Sequence, residues 1–117
     1  MALRNANRVV SGQESASFEH GDLKVDFANR RVFARATEVH LTPLEYKLIT
    51  TLARQSGKVL THSYLPKEVW GRHDISELHY LRVHMADLRR KIEQDSAKPQ
   101  HILTEQGIGY CLATEYD

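Results

Sequence analysis

The chain has 117 residues, of which 26% are charged and 41% hydrophobic, and its formal net charge is +1. This length and composition predict one soluble globular domain and exclude a disordered or fibrous protein. No apolar run approaches the roughly 20 residues of a membrane span, and the N-terminus lacks a secretory signal core. We therefore expect a cytoplasmic protein without membrane association. The near-neutral charge alone gives little support for nucleic-acid binding.

Residues 1–17 form a polar stretch with few large apolar side chains. Such a segment cannot bury enough surface to order itself. We expect residues 1–17 to be a disordered linker that follows another domain, and residues 18–117 to form the folded domain.

Alternating apolar and polar residues predict strands after this linker. Leu23, Val25 and Phe27 alternate with charged residues, which is the pattern of a strand with one buried face. Residues 28–30 can turn the chain, and Val32 and Ala34 continue the alternation. A second turn at 36–38 leads to a third strand at 39–41, and residues 18–20 are a candidate for one more. The pattern predicts a small antiparallel sheet.

A first helix is predicted to begin at Thr42. Thr42 and Glu45 form a capping box, and Pro43 occupies the first helical position, where proline is favoured. Gly57 is the expected stop, and residues 58–60 are a candidate short strand. The apolar stripe of this helix consists of Leu44, Leu48, Ile49, Leu52 and Ala53.

A second helix is predicted over Tyr64 to Trp70, ending at Gly71. We place its N-cap at Ser63 because Pro66 then falls in the first turn, where backbone N–H groups have no helical partner. Trp70 is expected to belong to the core, since its large surface is costly to leave in water. Residues 72–75 are predicted to be a loop into the next helix.

A long third helix is predicted over Ile75 to Ile92. Its apolar residues recur every three or four positions, at Leu78, Leu81, Met85, Leu88 and Ile92. The opposite face carries His79, Val83, Ala86 and Arg90. Small apolar residues among basic ones suit the major groove of DNA, where Val83 can meet a thymine methyl group. An ordinary amphipathic helix with a solvated face explains the same pattern, so the flanking segments must decide.

The C-terminal region completes a recognisable order of elements. A polar turn at 94–99 leads to strand 102–104, a glycine-bearing turn at 105–109 and a return strand at 110–112. A sheet, three helices and a hairpin in this order predict an α+β winged helix-turn-helix with an N-terminal antiparallel sheet and a C-terminal β-hairpin wing. Cys111, the only cysteine, is expected to be partly buried in the last strand.

With its ordered motifs, the chain resembles the DNA-binding effector domain of OmpR/PhoB-type response regulators over about residues 18–112. The motifs at 79–82 and 107–110 are similar to those of the subgroup that regulates potassium-transport operons. The complete set is Leu41-Thr42-Pro43-Leu44-Glu45-Tyr46, Gly57-Lys58-Val59-Leu60-Thr61, Val69-Trp70-Gly71, His79-Tyr80-Leu81-Arg82, Leu88-Arg89-Arg90-Lys91 and Gly107-Ile108-Gly109-Tyr110.

This resemblance implies a transcription regulator that is the output domain of a two-component system. Its partners would be double-stranded DNA with directly repeated half-sites, RNA polymerase, a receiver domain and a sensor kinase. The activated regulator would be a homodimer and the isolated domain a monomer. The implied polymerase contact is the loop Arg72, His73, Asp74 and Ile75. The implied DNA contacts are His79, Tyr80, Arg82, Val83, His84, Ala86, Asp87, Arg89, Arg90, Ile108, Gly109, Tyr110 and Cys111.

Two positions depart from the family pattern. Many relatives carry Arg where this chain has Cys111, so an arginine that enters the minor groove is missing. Several carry Arg at the position of Asp87, whose carboxylate would repel phosphate but can accept a hydrogen bond from a cytosine amino group.

Other functions are less well supported by the sequence. His62, His73, His79 and His84 do not have the four-residue spacing that zinc sites on helices prefer, so we expect no metal and no cofactor. No nucleophile elbow or glycine-rich phosphate loop occurs, so we do not expect an enzyme. The alternative is a winged-helix module that binds protein through its long helix. Small exposed apolar residues among basic ones argue against that alternative.

Overall fold

The computed structural model describes residues 16–71 and 75–114 of the chain. These residues form an α+β fold in which two antiparallel sheets flank three helices, as predicted. None of the helices in these ranges is long and apolar enough to cross a membrane. The elements are β1 Ser17–His20, β2 Leu23–Asp26, β3 Arg31–Ala34, β4 Thr37–Val39, α1 Pro43–Arg54, β5 Leu60–Thr61, α2 Tyr64–Trp70, α3 Ile75–Ile92, β6 Ile102–Glu105 and β7 Gly109–Leu112.

The N-terminal sheet is a four-stranded meander in the order β1-β2-β3-β4. Its period-two pattern places Leu23 and Val25 on the buried face, where Val25 is paired with Val32. The additional strand before Leu23 is confirmed. It begins at Ser17, which pairs with Asp26, so the sheet starts one residue before the predicted domain boundary.

The turn between β3 and β4 is held by Arg35. Arg35 and Ala36 both have positive φ, of 53° and 65°, a conformation that side chains with a Cβ rarely adopt. The Arg35 amide donates to the Asp22 carbonyl at 2.9 Å, and its guanidinium donates to the Ile92 carbonyl at 3.3 Å. A cation therefore lies at the C-terminus of α3, where the helix dipole favours it.

Helix α1 has the capping box that the sequence predicts. The Glu45 amide donates to Thr42 Oγ1 at 3.1 Å, and the Thr42 amide donates to Glu45 Oε1 at 3.0 Å. The helix ends at Arg54, before the Gly57 that was expected to stop it. Gly57 instead has φ of 83° and donates its amide to the Leu112 carbonyl at 2.8 Å. The chain after α1 is thereby attached to the last strand.

Helix α2 spans Tyr64–Trp70 with Ser63 as its N-cap and Gly71 as its left-handed C-cap, as predicted. Pro66 lies in the first turn and is buried, which reconciles a proline with a short helix. Thr61 rather than Ser63 supplies the side-chain cap, because its Oγ1 accepts from the Tyr64 amide at 3.0 Å. Trp70 is half-buried and packs against the core.

The second sheet contains three strands in the order β5-β7-β6, one more than the predicted hairpin. Leu60 pairs with Tyr110, so the short strand before α2 becomes an edge of the wing's sheet. Gly109 permits this pairing: a Cβ on it would lie 1.9 Å from the Leu60 carbonyl oxygen. No other residue type fits such an approach without movement of the backbone.

Helix α3 buries one face in the centre of the domain. Leu81, Met85, Leu88 and Ile92 are at most 1% exposed, and they pack with α1, α2 and both sheets. This confirms the predicted apolar stripe and the range of the helix. The opposite face is consequently fixed in direction, towards solvent.

Some sequence predictions lie outside the described residues. They include residues 1–15 of the linker and residues 72–74 of the predicted loop before α3.

Candidate nucleic-acid interface

The outward face of α3 forms a mixed basic and apolar strip. Tyr80 is 52% exposed and Val83 is 43% exposed, unusually high for residues on the helix that occupies the core. Because α3 is anchored on its other side by fully buried Leu and Met side chains, these side chains project from a rigid element. The strip consists of His79, Tyr80, Arg82, Val83, Ala86 and Arg90, all exposed.

His84 and Asp87 lie at the margins of this strip. His84 is half-buried, with its ring 5.8 Å from that of Trp70, so it supports the packing of α2 on α3. Asp87 is also half-buried and forms an ion pair with Arg90, one turn further along the helix. Arg90 is therefore exposed but not without a partner.

Arg89 lies at the seam between α3 and the wing. Its Nη2 donates to the Ile102 carbonyl and to Thr104 Oγ1, each at 2.7 Å. Its guanidinium also lies over the Tyr110 ring, 5.5 Å from the centroid. Burial lowers the pKa of Arg89, an effect that nearby Tyr110 and Glu93 partly offset. An arginine nevertheless stays charged at any physiological pH, so Arg89 holds the wing to the helix as a half-buried cation.

The wing presents its turn to solvent and hides its return strand. Ile108 is 53% exposed at the tip, whereas Gly109, Tyr110 and Cys111 are buried. The implied DNA contacts through the side chains of Tyr110 and Cys111 therefore need correction. Tyr110 is directed into the core beside Leu60, and only 8% of the Cys111 surface is exposed. Cys111 thus lies in the last strand as predicted, and it is more fully buried than the partial burial that the sequence indicated.

Glu93 fixes the root of the wing, a role that sequence reasoning missed. It is 3% exposed, and its carboxylate accepts backbone N–H groups of Gln100 at 2.7 Å, His101 at 3.1 Å and Ile102 at 2.9 Å. These three N–H groups therefore have a side-chain carboxylate, one residue beyond α3, as their hydrogen-bond acceptor in place of backbone carbonyls. The only sequence signal is a Glu directly after the last core residue of the helix.

His101 connects the wing to the N-terminal sheet. Its Nε2 lies 2.9 Å from Asp22 Oδ1, and its Nδ1 lies 2.8 Å from Nδ1 of His20. His101 is 81 positions from His20 and 79 positions from Asp22 along the chain. No local sequence pattern predicts this contact, because each of the three residues by itself resembles an ordinary polar residue of a turn.

Glu45 and Lys91 connect the start of α1 to the end of α3. Lys91 Nζ lies 2.6 Å from Glu45 Oε1, and the Glu45 side chain is 4% exposed. Burial raises the pKa of Glu45, but hydrogen bonds from Lys91 and Thr42 outweigh it and leave the pKa below its usual value. Lys91 therefore forms its ion pair within the domain and not with an outside partner.

The histidines considered as metal ligands are dispersed. His62 lies against Tyr110 at 5.5 Å between ring centroids, and His79 lies beside Tyr80 at 6.3 Å. Within residues 16–71 and 75–114, no group of three or more His, Cys, Asp or Glu side chains is arranged to hold a metal ion. Of the implied polymerase loop, Arg72, His73 and Asp74 lie outside the described residues, and Ile75 is the first residue of α3.

Comparison with known proteins agrees with this architecture. The family model described as "Transcriptional regulatory protein, C terminal" matches residues 36–112. The KDP operon transcriptional regulatory protein KdpE of Escherichia coli K12 is 43% identical over 110 residues, which cover 94% of this chain and 48% of that protein. The chain therefore spans about half the length of the curated relatives that it matches.

Solved structures show the same fold. The OmpR/PhoB homologue DrrB of Thermotoga maritima superposes with a TM-score of 0.77 at 28% identity, over 85% of this chain and 45% of that one. The DNA-binding domain of Klebsiella pneumoniae RstA, solved in complex with the RstA box, superposes with a TM-score of 0.75 at 25% identity, over 83% of this chain and 96% of that one. On its fold and its sequence, this chain belongs to the C-terminal domain family of transcriptional regulatory proteins, the winged-helix DNA-binding domains of OmpR/PhoB-type response regulators.

Proposed function

We propose that this chain is the output domain of a KdpE-like response regulator and regulates transcription of a potassium-transport operon by binding its promoter. Helix α3 enters the major groove, and the turn of the wing contacts the minor groove or its phosphates. The observation that carries the proposal is the exposed strip on α3, where Val83 and Ala86 lie between Arg82 and Arg90 on a rigidly anchored helix.

Within this proposal, the implied contacts divide into two groups. His79, Tyr80, Arg82, Val83, Ala86, Asp87 and Arg90 face the groove, with Ile108 and the Gly109 backbone at the wing. His84, Arg89 and Tyr110 lie behind them and hold α2, α3 and the wing together, and Cys111 is buried in the last strand. A helix and a wing fixed to each other reach DNA as one body, so less conformational entropy is lost on binding.

The further partners also belong to the proposal. The loop at residues 72–75 contacts RNA polymerase, and a receiver domain, phosphorylated by a sensor kinase, pairs two copies on directly repeated half-sites. The regulator binds DNA in the cytoplasm and needs no cofactor. A module that binds only protein through α3 is less well supported, because the strip around Tyr80 and Val83 also carries Arg82 and Arg90 and is not a large apolar patch.

The proposal is tested by titrating the chain onto promoter DNA of a potassium-transport operon and onto scrambled DNA of equal length. We expect preference for the promoter, which Val83→Glu abolishes because it places a carboxylate in the groove. Val59→Glu is the matched control, since Val59 is 40% exposed but lies outside α3 and the wing turn. Equal binding to both DNAs, or equal effects of the two substitutions, would contradict the proposal.

A further inference from the structure

An ion pair lies on the face of α3 that is directed outward. The Arg90 guanidinium donates through Nη2 to Asp87 Oδ1, and the side chains are 63% and 37% exposed. Neither residue is needed to fill the core, and exposed ion pairs of this kind contribute little to stability. Stability therefore does not account for the pair.

The pair is also a poor phosphate contact. The Asp87 carboxylate repels phosphate oxygens, and it leaves the neighbourhood of Arg90 close to neutral. A helix that used Arg90 only for its charge would bind the DNA backbone better without Asp87. The two side chains together nevertheless present a defined pattern, with carboxylate acceptors directly beside guanidinium donors.

This pattern is complementary to one kind of base-pair edge. In the major groove, a C·G pair presents the cytosine N4 amino donor beside the guanine O6 and N7 acceptors. A carboxylate accepts from the amino group while the guanidinium donates to both guanine atoms. A T·A pair turns the thymine O4 acceptor and methyl group towards the carboxylate and the adenine amino donor towards the guanidinium, so both contacts are lost. An A·T pair offers the carboxylate an amino donor but gives the guanidinium only one thymine oxygen, beside the methyl group. Reversing the pair to G·C exchanges donor and acceptor positions.

We propose that Asp87 and Arg90 act as one unit that reads a single C·G base pair in the major groove, with Asp87 as the specificity-determining residue. The inference rests on the proposed function, since it names the base pair that the α3 face selects. Asp87 accepts from cytosine and also holds the Arg90 guanidinium, so fewer rotamers are lost when Arg90 binds guanine.

The test is a complete binding profile. Sites are first selected from a random DNA library, and affinity is then measured with all four base pairs at every position of the selected site. The wild type should prefer C·G at one position on the order of tenfold over each other pair. Both Asp87→Asn and Arg90→Gln should flatten the preference at that position and leave the rest of the profile unchanged. The double variant should lose little beyond either single variant.

Three controls separate base reading from charge and from folding. Arg82→Gln removes another exposed arginine of the strip and should lower affinity by the same factor for every sequence. Replacing the guanine with 7-deazaguanine removes N7 and should weaken binding by the wild type but not by Arg90→Gln. Thermal melts of each variant exclude a folding defect.

Several outcomes would overturn the inference. If Asp87→Asn bound DNA with an unchanged profile, Asp87 would not read a base. If it raised affinity equally for every sequence, Asp87 would only repel phosphate. If the wild type showed no preference among selected and random sites, the proposed function itself would fail, and this inference with it.

Discussion

At the scale of single residues, Val83 is the clearest candidate for reading DNA without supporting the fold. Because it is 43% exposed, Val83→Ala should change the free energy of unfolding by less than about 0.5 kcal/mol. It should lower affinity by about 1 kcal/mol, and only for sites with a thymine at the contacted position. Anisotropy titrations and urea melts measure the two effects, with Val59→Ala as control. A large loss of stability with unchanged binding would show that our orientation of α3 is wrong.

The Glu45–Lys91 contact gives a prediction about pH. The pKa of Glu45 lies below its usual value, so the contact contributes stability above the ordinary carboxyl pKa and loses it as pH falls through the folded value. Lys91→Met removes the partner and leaves a buried carboxylate. We expect a loss of about 1–3 kcal/mol at pH 7, at the low end for a buried pair because Lys91 is 36% exposed.

Denaturant melts at pH 7 and near pH 4 measure this difference. Burial raises the pKa of Glu45 once Lys91 is gone, so the variant should approach the wild type as the pH falls. An equal loss at both pH values would show that Lys91 acts through packing rather than charge. Lys47→Met is the control, since Lys47 lies on the exposed side of α1.

At the scale of elements, local patterns predicted most of the fold. The capping box at Thr42, the position of Pro66 and the stripe from Leu78 to Ile92 are signals carried within a few turns of helix, and the structure has all three elements. What the sequence did not predict depends on distant partners. The pairing of the short strand at Leu60 with the wing, the carboxylate of Glu93 and the contact of His101 with Asp22 each join segments that no local periodicity relates.

The candidate site divides in the same way. Helical spacing alone indicated that His79, Val83, Ala86 and Arg90 share a face, and the structure exposes all four. The direction of Arg89 and Tyr110 could not be predicted, because it depends on where the wing packs against α3.

The sheet that carries the wing gives an element-scale prediction. Gly109→Ala would place a Cβ 1.9 Å from the Leu60 carbonyl oxygen and 2.8 Å from Thr61 Cα, so β5 and β7 must separate. We expect a loss of more than about 2 kcal/mol in the free energy of unfolding. Gly107→Ala is the matched control. Its φ is 75° but nothing lies within 4 Å of the new Cβ, so only backbone strain of about 1 kcal/mol is expected. Denaturant melts of both variants compare them, and equal losses would contradict the steric account.

At the scale of the whole molecule, charge decides how tightly one domain can bind. Between Arg72 and Lys98, six positive and five negative residues leave a net charge of +1 before any histidine is counted. The structure reduces the available charge further, since Lys91 is paired with Glu45, Arg90 with Asp87, and Arg89 with the wing. Few cations remain for phosphates, whose neutralisation supplies most non-specific affinity.

We therefore expect this chain to bind a single half-site weakly, with a Kd in the micromolar range near physiological salt. Fusion to a dimerising coiled coil should raise affinity for paired half-sites at least a hundredfold, because the second contact becomes local. Titrations onto DNA with one or two half-sites measure both values, and paired sites at the wrong spacing are the control. Nanomolar binding of the lone chain to one half-site would contradict receiver-driven pairing as the switch.

The pairing of Leu60 with Tyr110 affects when, during synthesis, the domain can complete its fold. The N-terminal meander joins neighbours in sequence and can form as soon as it is synthesised, whereas β5 must wait for the last strand. Contacts between residues far apart in sequence form slowly, because the chain loses conformational entropy in closing the loop before the contact adds any stability. During synthesis α3 would leave the ribosome before the strand that completes its support. On the proposed function, the domain therefore cannot bind its promoter until its final strand is in place.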